Sequence, residues 1–172
     1  MIVVEHRLRD MVSQIPGIDL NKDYLGVKPK FGWGDKKELN RYLQLKKEGS
    51  YPLVWLLPSP ENHIDSGQAV KKDCNLIIAT LEKDTSLFND QRYLKSYDLI
   101  LNPLTDYLVQ GLRSSSISSI IGDEWSVFRH PNYSDESKGD ESGTIDLWDA
   151  IRLDCTVEIN NHCLKQIVWQ NN

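Results

Sequence analysis

Four histidines, three cysteines and scattered carboxylates are the residues here whose types could carry acid–base, nucleophilic or metal chemistry. His6, His63, His130 and His162 stand far apart, and none falls in an HExxH or HxH arrangement that would bring two imidazoles to one metal. Each reads as a surface or loop histidine. Cys74, Cys155 and Cys163 lack the close-spaced doublets of zinc or thiol-redox motifs. Cys155 falls on the apolar side of an alternating segment, where a thiol acts as a small hydrophobe with a raised pKa, and Cys74 follows the same logic. Cys163 follows His162, but adjacent residues in an extended chain point to opposite faces, so adjacency alone does not make the thiol reactive.

The remaining constellations read in the same direction. Ser114, Ser115 and Ser116 have no GxSxG elbow and fit a helix-terminal loop. Asp135, Glu136, Asp140 and Glu141 do not match the spacing of a calcium loop, and Ser and Lys interrupt them, so a solvated acidic loop is expected. Trp55, Trp125, Trp148 and Tyr97 are spread over several apolar elements and are expected to pack the interior rather than stack on bases. An enzyme would have to assemble its site from scattered groups such as His63, His130 and Asp149. Its mark would be a pocket that gathers them with shifted pKa values. No motif calls for a cofactor or a metal.

Composition narrows the classes further. The chain has 172 residues, enough for one domain with a real core, and a formal charge of −5 with neither sign gathered into a long block. Electrostatic capture of nucleic acid is not indicated. No apolar run approaches the ~20 residues that span a bilayer, and no signal-peptide pattern opens the chain. With an odd cysteine count, a soluble protein made in a reducing cytosol is expected.

Hydrophobic periodicity then supplies the elements. Val4, Leu8, Met11 and Ile15 share a helical face in MIVVEHRLRDMVSQIPG, which Pro16-Gly17 stops. Residues 18–34 show no period and read as an irregular connection. Asp35 and Glu38 form a capping-box pattern opening a short helix that presents Leu39, Tyr42 and Leu43. YPLVWLLP is a strand, apolar on both faces and closed by two prolines, so it should be covered on both sides; PSPENH after it reads as a connecting or interface loop. QAVKKDCNLIIATLEK is its hairpin partner, with Val70, Cys74, Leu76 and Ile78 on one side.

From Asp90 a long helix tracks Tyr93, Tyr97, Ile100 or Leu101, Leu104, Leu108 and Leu112, with Pro103 inside it, a kink or a break expected near Asn102, and Asn102 able to cap. The patch SSSISS is linker-sized. EWSVFRHPNY is a strand, a polar acidic loop follows at about 134–143, and Ile151, Leu153, Cys155, Val157 and Ile159 alternate with polar residues in a final strand with one dry and one wet face. The result is a single α+β domain over 1–172, with a mainly antiparallel sheet packed on one side by helices. Its core order is helix, strand, strand, helix, strand, strand.

That order, carried by the opening helix, YPLVWLLP, DCNLIIAT, QRYLKSYDLILNPLTDYLVQGL, EWSVFRHPNY and TIDLWDAIRLDCTVEINNHC, resembles the tail terminator and tail-completion family of tailed bacteriophages. The resemblance implies a structural, non-enzymatic virion protein. It would form a homo-oligomeric ring at the head–tail or neck junction, touching portal or neck proteins on one side and tail proteins on the other, with DNA passing through the channel. Localisation would be the virion, after synthesis in the host cytoplasm. Segment 18–34 and the acidic stretch are elaborations on that plan. Under the resemblance, Asp135, Glu136, Asp140 and Glu141 would line the channel or meet a neighbour. A monomeric adaptor that binds one partner is the reading from a different class, alongside the scattered-residue enzyme.

Overall fold

The computed structural model describes residues 2–19, 25–44, 51–64, 67–82, 86–131, 147–163 and 165–169. Its elements are α1 (Val4–Ser13), β1 (Lys30–Trp33), α2 (Lys36–Gln44), β2 (Leu53–Leu56), β3 (Glu61–Ile64), β4 (Ala69–Glu82), α3 (Asn89–Arg92), a π-helical stretch (Tyr93–Leu101), α4 (Asn102–Ser114), β5 (Ser118–His130) and β6 (Leu147–Asn160). The protein is a single α+β domain built on one mixed, mostly antiparallel six-stranded sheet in the order β1-β2-β4-β6-β5, with β3 also paired to β4.

The longest contact in the sheet is the β4–β6 ladder, antiparallel from Ala69↔Asn160 to Glu82↔Leu147 without a break. The alternation predicted for β6 holds: Ile151, Leu153, Cys155, Val157 and Ile159 are buried, and Arg152, Asp154, Thr156, Glu158 and Asn160 are half-exposed. Val70, Cys74, Leu76 and Ile78 of β4 join the dry face, as do Val54 and Leu56 of β2. Against it lie Val4, Leu8, Met11 and Ile15 of α1, the inner side of the π-helical stretch, and Leu104, Leu108 and Leu112 of α4. This is the main core.

The helices are not confined to that face. Leu53, Trp55, Ile77, Ala79, Trp148 and Ala150 point the opposite way and form a second apolar cluster with Leu39 and Leu43 of α2. All four β2 residues are therefore buried, Leu53 and Trp55 under α2 and Val54 and Leu56 under the main helices. The two-sided burial expected of YPLVWLLP is met within the chain. α2 starts with the predicted capping box: Glu38 N–H donates to Asp35 Oδ1 at 2.8 Å, and Asp35 N–H donates to Glu38 Oε2 at 3.1 Å.

Several expectations are corrected. Segment 18–34 is not irregular throughout: it holds β1, parallel to β2, and an isolated bridge between Ile18 and Val27. PSPENH is not a free loop, because Glu61–Ile64 resumes as β3 along the same side of β4 that β2 occupies. Prolines lack the amide proton for the ladder, but their fixed φ keeps the chain extended across the gap. The irregularity expected near Asn102 is a change of helix type, the π-helical stretch ending at Leu101 and α4 starting at Asn102, and Asn102 is not a side-chain cap. The Asn102 N–H donates to the Tyr97 carbonyl five residues back, and this wider turn makes room for the proline ring. Tyr93, expected on the buried side, stays 42% exposed and stacks on Tyr97. The serine patch is not a linker, since β5 begins inside it at Ser118.

β1 exists because one residue in it has no side chain. Gly32 pairs directly with Trp55, and a Cβ there would sit 2.5 Å from the indole ring. Gly32→Val is expected to push β1 off the sheet and lower stability by about 1–3 kcal/mol. A reduced urea midpoint together with faster amide exchange in residues 30–33 would register this, and an unchanged midpoint would contradict it.

Candidate functional site

The scattered polar groups do not converge. His63 lies on β3 opposite Val70, whose β6 partner is Ile159; His130 pairs with Ala150. Nine positions of β6 separate these two levels, about 30 Å at ~3.3 Å per residue. Asp149 is fully buried on the main-helix side, whereas His130 belongs with Ala150 to the other face. His6 is exposed and meets Trp33 edge-on at 6.3 Å, and His162 is exposed just past β6. Among the described residues no group of three His, Cys, Asp or Glu side chains is placed to hold a metal ion. Asp135, Glu136, Asp140 and Glu141 lie outside the described residues.

The cysteines act as packing residues. Cys74 and Cys155 are direct cross-strand partners on the dry face, and both are free thiols. Burial pushes the Cys155 thiol up to about 12, with Asp154 adding to the effect. It pushes Cys74 up too, and the neighbouring Cys155 contributes. A thiol that cannot ionise is a poor nucleophile. Cys163 is exposed, and its carbonyl accepts a bond from the Ser116 hydroxyl at 2.9 Å. Ser115 and Ser118 close the end of α4 through their own hydroxyls, at 2.6 Å from each other, with Ser118 Oγ donating to the Leu112 carbonyl. These serines are structural.

The most buried charges also hold the fold together. Arg92 is 2% exposed and Asp149 0%, and they meet at 3.1 Å where the helices cross β6. Beside them the Tyr97 hydroxyl donates to the Ala150 carbonyl at 3.3 Å, and burial followed by the Asp149 charge raises its pKa. Lys95 reaches Glu82 at 2.8 Å on the next strand. This polar layer ties the π-helical stretch to β4 and β6. On the opposite end of β4, the ammonium of buried Lys72 meets Glu61 at 2.8 Å and Glu5 at 3.5 Å, tying β3 and α1 to the sheet.

What remains as a site is an edge. β5 is the last strand of the sheet, and among the described residues nothing pairs with its outer side. Its register shifts once: Ile120 pairs with Val157 and Trp125 with Cys155, so Ile121–Glu124 bulge out opposite Thr156 alone. Gly122 and Asp123 take positive φ of 71° and 55° there. Asp123 is held in that costly conformation by a two-pronged bond from Arg113 of α4, at 2.8 and 3.0 Å. The Arg113 guanidinium lies 5.4 Å over the Trp125 ring.

Beyond the bulge, Trp125–His130 runs regularly along β6 and borders a groove of about 1140 Å³ against α4. Trp125, Val127, Arg129, Tyr107, Asp98 and Asp106 line it. Partial burial raises the Asp106 carboxyl's pKa, and Arg129 counters this. Trp125 is 39% and Phe128 47% exposed. Trp55, Trp148 and Tyr97 are core residues as expected; Trp125 is not. The sequence held a sign of this, because SVFRH alternates a phenylalanine against a valine and an arginine and leaves β5 no dry face.

No family model matches the chain, and no curated protein is significantly similar to it.

Two measurements check this assignment of structural roles. At pH 8 a thiol reagent is expected to label Cys163 alone in the folded protein and all three cysteines after denaturation; rapid native labelling of Cys74 or Cys155 would contradict it. Arg92→Met takes the guanidinium away from the buried Asp149 carboxylate and is expected to cost about 3–5 kcal/mol, whereas Arg92→Met with Asp149→Leu recovers most of that loss in a urea titration. Equal losses in the single and double variants would show that the pair does not act as a unit.

Proposed function

We propose that the protein is a structural subunit of a tailed-bacteriophage particle, forming a ring at the head–tail or neck junction through which DNA passes. The observation that carries this reading is the sheet's two open sides: β5 closes one end and β1 and β3 the other, and among the described residues no strand covers either. A subunit with different open surfaces at opposite ends suits head-to-tail association, which closes into a ring when the rotation per step allows. The resemblance of the sequence segments to tail terminator and tail-completion proteins supports the head–tail or neck junction as the ring's position. The separation of His63, His130 and Asp149 lends no support to an enzyme built from them.

The acidic run Asp135, Glu136, Asp140 and Glu141 belongs to the connection between β5 and β6. On this reading it faces the channel, where it keeps phosphate from adhering, or it meets basic groups of a neighbour. Replacing all four by lysine separates these roles. Slowed DNA ejection from intact particles marks the channel, failed ring assembly marks the neighbour contact, and no change in either removes both roles.

Removing the protein from the phage that encodes it is the direct test of function. Micrographs should show filled heads and tails that do not join, or tails with irregular ends, and supplying the protein in trans should restore infectious particles. Normal virions made without it, or purified virions that lack it, would overturn the reading.

A further inference from the structure

Resting on the reading of this chain as a ring subunit, we propose that β1 of a second copy adds to the Trp125–His130 edge of β5 as an antiparallel strand, with Trp33 entering the groove between β5 and α4. Strand direction carries the first step. β1 is parallel to β2, and β2-β4, β4-β6 and β6-β5 are each antiparallel, so β1 and β5 run in opposite senses within one subunit. A sheet continued by rotation about an axis along its strands keeps each strand's sense. The next subunit's β1 therefore meets β5 antiparallel, the geometry that forms the better hydrogen-bond ladder.

Side-chain facing carries the second. Phe31 and Trp33 lie on the main-helix side of the sheet, since Phe31 packs against that core, while Lys30 and Gly32 face the α2 side with their partners Leu53 and Trp55. On β5, Trp125, Val127 and Arg129 face the main-helix side, and Ser126, Phe128 and His130 face the other. Pairing the two strands in the shared sheet brings the incoming Trp33, 44% exposed in the free chain, to the groove behind Trp125 and Val127. A tryptophan seated in a preformed groove is the kind of residue that dominates an interface.

Charge and edge protection choose β1 over β3. The groove and bulge carry Asp98, Asp106, Asp123 and Glu124 against Arg113 and Arg129. The β1 segment carries exposed Lys28, Lys30, Lys36 and Lys37 against Asp35 and Glu38. β3, the other strand on that side, presents Glu61 and follows Pro58 and Pro60. Acidic meets basic at β1, whereas β3 carries no lysine or arginine to meet the groove and its Glu61 is already paired with Lys72.

The contact is tested with the full-length protein in a Cys163→Ser background. Lys30→Cys and Phe128→Cys proteins, mixed with oxidised glutathione, should form a disulfide-linked heterodimer that neither variant forms alone. Trp33→Ala should weaken self-association at least tenfold by light scattering without shifting the urea midpoint. Lys30→Glu/Lys36→Glu and Asp98→Lys/Glu124→Lys should each fail to associate alone and associate when mixed. Rings that survive all these changes, without the cross-link, would overturn the pairing and leave the ring reading standing. Cross-linked open chains that never close would support the pairing and count against the ring. Absence of both cross-link and association would overturn the pairing.

Discussion

The rest of the molecule depends on the unbroken antiparallel ladder between β4 and β6. Its two central strands are distant in sequence, so pairing them closes a long loop and must be offset by burial along the whole length. Alternation supplies that burial: one side of both strands is buried from Val70 and Ile159 at one end to Ile78 and Ile151 at the other, apolar but for Lys72, whose ammonium is met by Glu61 and Glu5. A one-residue slip would put that entire row into water and its polar neighbours into the core. The register is thereby fixed, and with it the position of every outer strand.

The ladder's second face explains why the sheet has two characters. Near Ile77, Ala79 and Ala150 it is apolar and α2 covers it; near Lys71, Asp73, Asp154 and Glu158 it is polar and stays open. Lys71 meets Glu158 at 3.8 Å, and the Thr156 hydroxyl donates to Asp73 at 2.7 Å, so the wet half is held by cross-strand polar pairs. The dry half carries β2, and β1 beyond it, as a double-sided layer.

Periodic signals were legible in the sequence, and signals that depend on distant partners were not. α1, the β6 alternation, the Val70–Ile78 row, the α2 capping box and the two-sided burial of YPLVWLLP follow from local spacing. β1 could not be read from KFGW, because four residues show no period and the glycine makes sense only beside Trp55, twenty-three positions away. β3 was hidden by prolines that interrupt hydrogen bonding without turning the chain. Pro103 marks an irregularity near Asn102, but its form as a π-helical stretch is not legible locally, because a proline's cost can be relieved by a wider turn before it. The candidate site shared this limit: Trp125 counts as a core residue until the strand order puts β5 at an edge.

Open edges invite indiscriminate pairing, and this sheet guards its edges unequally. Pro58 and Pro60 precede β3, and a bulge clasped by Arg113 and Asp123 interrupts β5 before Trp125. Past the bulge, Trp125–His130 is regular, carries exposed aromatics and borders a groove, and β1 at the far side carries an exposed tryptophan among lysines. If protection against aggregation alone had shaped these edges, the aromatic stretch would be the first place to blunt. Among the described residues the prolines before β3 and the bulge in β5 leave Trp125–His130 and β1 as regular open edges, one bordered by acidic groups and the other set among lysines, and these are the two unlike surfaces that the proposed head-to-tail contact uses.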